Sequence, residues 1–259
     1  MRAARIGGRF LAPVFMICAL TATQAAEIRV FTSGAPSAAL QALAPAFTEA
    51  TGQRISFTIG VLNEIREKMS GAERPDAVVL PVPAIDALDK TGKLRPDSRL
   101  VLARVGIGIV VREGAPLPDI STPDAVRKTM LAARSIAHTD PHGGGFAGAQ
   151  VVRMFEKLGI AEAVKPKVTL MYAITGGVAR VAKGEAEIGL FNISEILPVK
   201  GVTLVGPLPP ELQSYIVFAA AIHANSAVPD AAAAYLRFLS EPSSRDAWSK
   251  AGFESLGGR

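Results

Sequence analysis

EIRVFTSGAPSAALQALAPAFTEATGQRISFTIG, residues Glu27 to Gly60, is the stretch whose periodicity decides the fold class. It opens on EIRVFT, a run rich in β-branched and aromatic residues that reads as a buried strand. Leu40, Leu43 and Phe47 then fall at helical spacing, Gly52 supplies a C-terminal stop, and RISFTI (Arg54–Ile59) reads as a second strand. AVVLPV (Ala77–Val82) adds a third. Strands that alternate with helices in this way need crossover connections, so parallel pairing in an α/β fold is expected.

The pattern recurs further along the chain. LVLARVGIGIVVR (Leu100–Arg112) is a long apolar run without a turn, followed by the Pro- and Gly-rich EGAPLPDISTPDAV, where a helix starts at Ser121 or Thr122 with Pro123 in its first turn. A second unit follows: strand SIAHT (Ser135–Thr139), a glycine loop, helix Gln150–Leu158, strand KVTLM, helix Val178–Lys183 and strand EIGLF. SYIVFAAAIH (Ser214–His223) is another long apolar run, and two helices end the chain. Two lobes are expected, residues 27–103 with 206–259 and residues 104–205, each a mixed sheet flanked by helices. The two long runs would be the hinge strands. A single lobe with one long sheet has the same periodicity.

The first residues, MRAARIGGRFLAPVFMICALTATQAA, carry Arg2, Arg5 and Arg9, an uncharged apolar core from Phe10 to Leu20, and small residues for cleavage after Ala25 or Ala26. This is the three-part pattern of a secretory signal peptide, and its core is short for a membrane span. Residues 1–26 are therefore set apart from the fold, and export to the periplasm is expected. The formal net charge is +5, and the three leader arginines account for +3 of it, so the rest of the chain carries a net +2. With 6% aromatic residues and no basic run, nucleic-acid binding is not indicated. The single cysteine, Cys18, lies in the leader, so the mature chain has no disulfide and no thiolate metal site; with 49% hydrophobic residues it rests on its apolar core.

Ligands of open α/β sheets sit beyond the carboxyl ends of strands, where loops and helix N-termini offer backbone N–H groups. Five loops qualify. The first, TSGAPS, offers Ser33 and Gly34, and the second, GVLN, offers Val61 and Asn63. The third, DPHGGG, offers His142, Gly143, Gly144 and Gly145, and the fourth, AITGG, offers Ile174, Thr175 and Gly176. The fifth, FNISE, offers Asn192. Gly143, Gly145 and Gly148 form a literal G-x-G-x-x-G, but the next strand ends in Met171-Tyr172-Ala173 without a carboxylate for a ribose, and no Gly-Lys-Ser/Thr follows. No cofactor is expected. His138, His142 and His223 lack zinc-site spacing and no G-x-S-x-G elbow occurs, so no metal is expected either.

VFTSGAPSAALQALAPAFTEATGQRISFTIG with RPDAVVLPV resembles the first lobe of periplasmic molybdate-binding-like solute receptors, and TDPHGGG, FEKLGI and VAKGEAEIGLFNISEI resemble their second. The resemblance covers essentially the whole mature chain. It implies a type II periplasmic binding protein fold, a small anion held between two lobes, and delivery to the membrane component of an ABC importer. Molybdate receptors of that family hold the oxyanion with serine hydroxyls and backbone amides of the first two loops. Here the serine of the first loop is shifted to Ser33, the second loop has none, and Asn192 stands where the family has tyrosine. An organic acid is therefore expected over molybdate, bound by a monomer. REGAPLPDIS, VAKGEAEIG and ISEILPVKGV also resemble the aconitate isomerase subgroup, which implies a second reading: a double-bond-shifting isomerase with His142 and Tyr172 as candidate catalytic residues.

Overall fold

The computed structural model of the chain describes residues 27–71, 73–142 and 145–256. The leader, Gly143 and Gly144 lie outside the described residues. The first unit runs β1 (Glu27–Ser33), α1 (Ser37–Thr51), β2 (Arg54–Gly60), α2 (Leu62–Ser70), β3 (Ala77–Pro81) and α3 (Val82–Asp89). β4 (Leu100–Arg112) leads into the second unit: α4 (Pro123–Ala132), β5 (Ile136–His138), α5 (Phe146–Lys157), α6 (Ala161–Val164), β6 (Val168–Leu170), α7 (Gly177–Ala182), β7 (Ile188–Asn192), α8 (Ile193–Ile196) and β8 (Val202–Pro207). β9 (Tyr215–Ile222), α9 (Pro229–Ser240), α10 (Arg245–Lys250) and β10 (Glu254–Ser255) return to the first.

The expected parallel pairing is present in both units: β1 lies between β2 and β3, and β5 between β6 and β7. The first unit keeps α1 on its sheet through Leu40, Leu43 and Phe47, and Phe47 meets Tyr235 and Phe238 of α9 with ring centroids 5.1 and 5.4 Å apart. Burying each such aromatic side chain contributes about 1.5–3 kcal/mol. In the second unit Thr122 caps α4, its hydroxyl accepting from Ala125 N–H, with Pro123 in the first turn where its missing N–H costs nothing.

β4 joins the two. Leu100 to Gly106 pairs antiparallel with β9 in the first sheet, and from Ile107 onward β4 pairs with β7 and β8 in the second. SYIVFAAAIH was expected to be a second hinge strand; instead β9 lies wholly in the first sheet, between β3 and β4. The return crossing is made by residues 208–214, where Pro209 and Pro210 have no N–H to give to a ladder. Gln213 secures it at the crossing point. Its Oε1 accepts from Ile107 N–H and its Nε2 donates to Ile107 O, both at 2.9 Å, so the side chain pairs the strand backbone where the two sheets part.

Candidate functional site

The carboxyl ends of β1, β2 and β3 in one lobe and of β5, β6 and β7 in the other face a common cleft, the position in which open α/β sheets hold ligands. It encloses a cavity of about 60 Å³. Ordinary ligand pockets measure roughly 300–1,000 Å³. In this arrangement the lobes admit only a small solute, and a larger one requires them to part along β4 and the 208–214 crossing.

The first lobe contributes Ser33, Gly34, Ala35, Gly60, Val61 and Leu62, with Pro81, Ile216 and Phe218 behind them. Of the two loop serines, Ser37 is committed to structure: its hydroxyl donates to Gly34 O at 2.6 Å and helps open α1. Ser33 Oγ is buried with no hydrogen-bond partner. At the second loop Val61 N–H donates to Glu64 Oε2 at 3.1 Å, so the protein's own carboxylate already occupies the N-terminus of α2. Asn63, one residue into that helix, is exposed and does not line the cavity.

The second lobe brings Thr139, Gly145, Phe146, Ala147, Tyr172 and Ile174, with Asn192 and Glu195. Thr139 Oγ1 and Asn192 Oδ1 are buried without partners. Tyr172 stands near the Asp140 carboxylate, and burial first, then that negative charge, raises its pKa, which keeps it a neutral phenol. Asn192 Nδ2 donates to Glu195 Oε2 at 2.8 Å, while Glu195 Oε1 faces the first loop, 3.1 Å from where a Cβ on Gly34 would sit. Desolvation pushes the Glu195 carboxyl up to about 7, against the opposing pull of the Asn192 bonds. No Lys, Arg or His is among the described lining residues. A carboxyl withdrawn from water with no cation beside it is driven toward its neutral form.

The lobes touch across the cleft at Gly34 and Ile174. A Cβ on Gly34 would overlap Ile174 Cγ2, so the first loop needs glycine for the walls to come this close. Thr175 and Gly176 shape the turn without lining the cavity: Thr175 Oγ1 donates to Tyr172 O at 3.1 Å, and Gly176 takes φ 92° before α7. His142 also stands outside it. Its side chain is 85% exposed and bonds Asp140 Oδ1 at 3.1 Å. His138 is buried in the second lobe, Nδ1 2.9 Å from Thr139 O, and burial lowers its pKa.

Gly145 and Gly148 of the G-x-G-x-x-G stretch have a packing explanation. A Cβ at Gly145 would overlap Asp140 O, and one at Gly148 would overlap Thr139 O, so these glycines let α5 lie directly on the loop after β5. Thr139 and Glu195, both lining the cavity, were not singled out from the sequence. For Glu195 a signal existed: Asn192 and Glu195 stand at the spacing of a capping box, which folds the carboxyl back onto the strand end. Among the described residues no group of three or more His, Cys, Asp or Glu is placed to hold a metal ion.

Comparison with known proteins agrees with this architecture. The chain is 29% identical over 242 residues to an aconitate isomerase of a Pseudomonas species, covering 92% of this chain and 91% of that one. It is 27% identical over 210 residues to the molybdate-binding protein ModA of Rhodobacter capsulatus, covering 80% of each. Among solved structures, the periplasmic molybdate-binding protein of Azotobacter vinelandii superposes with a TM-score of 0.69 at 18% identity, covering 88% of this chain and 98% of that one, and shares the two-lobed type II periplasmic binding protein fold. The family of bacterial extracellular solute-binding proteins matches residues 28–254, which span both lobes, the crossings between them and every wall of the cavity; the chain belongs to that family.

Proposed function

We propose that this chain is an exported periplasmic receptor that holds a small organic acid between its lobes and passes it to the membrane component of an ABC importer. The observation that carries this reading is the make-up of the cavity wall: unpartnered hydroxyls at Ser33 and Thr139, the Asn192 amide whose Nδ2 already serves Glu195, and the Glu195 carboxyl, with no cation among the described lining residues. A tetrahedral dianion such as molybdate needs donors on all sides, and each one lost costs about 1–3 kcal/mol. Here the second-loop N–H is spent on Glu64, and Glu195 presents an acceptor whenever it is ionised. A carboxylate ligand needs fewer donors and can share a proton with Glu195. The test is a thermal-shift panel of molybdate, sulfate, succinate, tricarballylate and both aconitates. Stabilisation by the organic acids, about 2.7 kcal/mol at 100 times Kd, supports the reading. Stabilisation by molybdate alone refutes it.

A second reading is favoured by Glu195 itself. A cleft carboxyl with a pKa of about 7 suits proton transfer next to a ligand carboxylate, and Tyr172 lines the same cavity. Together with the aconitate isomerase relative, this supports a double-bond-shifting isomerase. Incubation with cis-aconitate followed by NMR decides it: trans-aconitate accumulates catalytically, and Glu195→Gln abolishes turnover, or the acid is recovered unchanged.

A further inference from the structure

We infer that Glu195 takes part in ligand capture as a neutral carboxylic acid, donating its own proton to a ligand carboxylate, so that binding is coupled to proton uptake. This rests on the organic-acid reading of the cleft. Glu195 Oε2 is held by Asn192 Nδ2 at 2.8 Å, and Oε1 is left facing Gly34 across the cavity. Ser33, Thr139 and Asn192 line the same space, and Ser33 Oγ, Thr139 Oγ1 and Asn192 Oδ1 are buried without partners of their own. A ligand carboxylate entering this small cleft therefore meets two hydroxyl-bearing residues, the Asn192 amide and a carboxyl group, and no positive side chain among the described lining residues.

Two carboxylates cannot both stay ionised in such a space. Like charges at hydrogen-bonding range in a site poor in water repel strongly. One must carry a proton, and Glu195 is already poised for it, since burial pushes its carboxyl up to about 7 in the free protein. Protonated, its O–H donates to the ligand oxygen and the repulsion becomes a hydrogen bond.

The surrounding charges leave this assignment to Glu195. β7 contributes Asn192 and no ionisable group, and β8 contributes none. β4 carries Arg104 toward one end, paired with Glu254, and Arg112 at the other, beside Gly184. Asp246 and Lys250 of α10 are paired with one another at 2.7 Å. Across the cleft Glu64 is turned onto Val61 N–H, and on the lobe that carries Glu195, Asp140 near Tyr172 is held by His142.

The sign of the pH dependence follows. Below about pH 6 the free protein already holds the proton, and affinity for an ionised acid is flat. Above about pH 7 each bound ligand draws a proton from solvent, and affinity falls about tenfold per pH unit. Calorimetric titration with succinate and with tricarballylate, from about pH 6.5 to about pH 8.5 in buffers of different ionisation enthalpy, measures both quantities. About 0.9 proton taken up per ligand near pH 8 is expected, with a flat affinity profile in Glu195→Gln and an undiminished slope in His142→Ala. Binding of either acid without proton uptake overturns the inference and leaves the receptor reading standing. A slope that survives Glu195→Gln but vanishes in His142→Ala also overturns it, assigning the proton to the Asp140–His142 pair. Failure of both acids to bind at any pH refutes the organic-acid reading and the inference with it.

Discussion

The first lobe meets the cleft with Ser33, Gly34, Ala35, Val61 and Pro81, whereas the second meets it with Thr139, Tyr172, Asn192 and Glu195. One wall is backbone and hydrocarbon with a single free hydroxyl. The other holds the amide, the phenol and the carboxyl, each positioned at the end of a strand or one turn beyond it. The parallel strands of the first lobe end on tight loops whose donors serve their own helices: Ser37 on Gly34 O and Val61 N–H on Glu64. The second lobe leaves Thr139 Oγ1 and Asn192 Oδ1 without partners. The difference assigns shape and closure to the first lobe and recognition to the second.

That division can be broken in several ways. The largest effect is expected from Gly148→Ala. Its Cβ would overlap Thr139 O, a backbone atom that cannot swing aside, so α5 must shift and stability falls by about 3 kcal/mol in chemical denaturation. A loss below about 0.5 kcal/mol would show that the glycine is not needed for packing. Gly34→Ala should leave folding intact but weaken ligand binding about 100-fold, by holding the first loop off Ile174. The double variant Gly34→Ala/Ile174→Ala removes the overlapping methyl and should recover most of that loss. Without recovery, closure does not run through this contact.

Glu195 gives a prediction in stability. The ordinary value is 4.5 and the folded value about 7, so between them the unfolded chain has released a proton that the folded chain keeps. Stability therefore falls as pH rises through that window and levels off above it. In the absence of ligand, Glu195→Gln should be more stable than the parent by about 1–3 kcal/mol at pH 8 and equal to it near pH 4.5, read from urea melts. The walls themselves are compared by Thr139→Val, expected to weaken binding about tenfold, and Ser33→Ala, expected to weaken it about threefold. The reverse order would move recognition to the first lobe. His142→Ala should change affinity less than about twofold at neutral pH, because its side chain points to solvent.

The alternation of strand and helix was legible because apolar periodicity is local: β1, α1 and β2 follow from Glu27–Gly60 almost residue by residue. The change of sheet inside β4 was not, because nothing in LVLARVGIGIVVR distinguishes residues that pair with β9 from those that pair with β7. Gln213 completes that junction from 106 positions away, a relation no periodicity carries. At the site, the loops could be found by their place after strands, but not which side chain of each turns inward. His142 and Glu195 illustrate this. The histidine is the more conspicuous residue in sequence, yet Asp140 holds it in an outward turn, while the less conspicuous glutamate is folded back over Asn192 into the cavity.

The most direct test of the account is a crystal structure of the mature protein soaked with succinate or tricarballylate. Density for the acid is expected between the lobes, with its carboxylates within hydrogen-bond distance of Ser33 Oγ, Thr139 Oγ1 and Glu195. Density on the outer face of the second lobe beside His138 and His142, with none between the lobes, would contradict it.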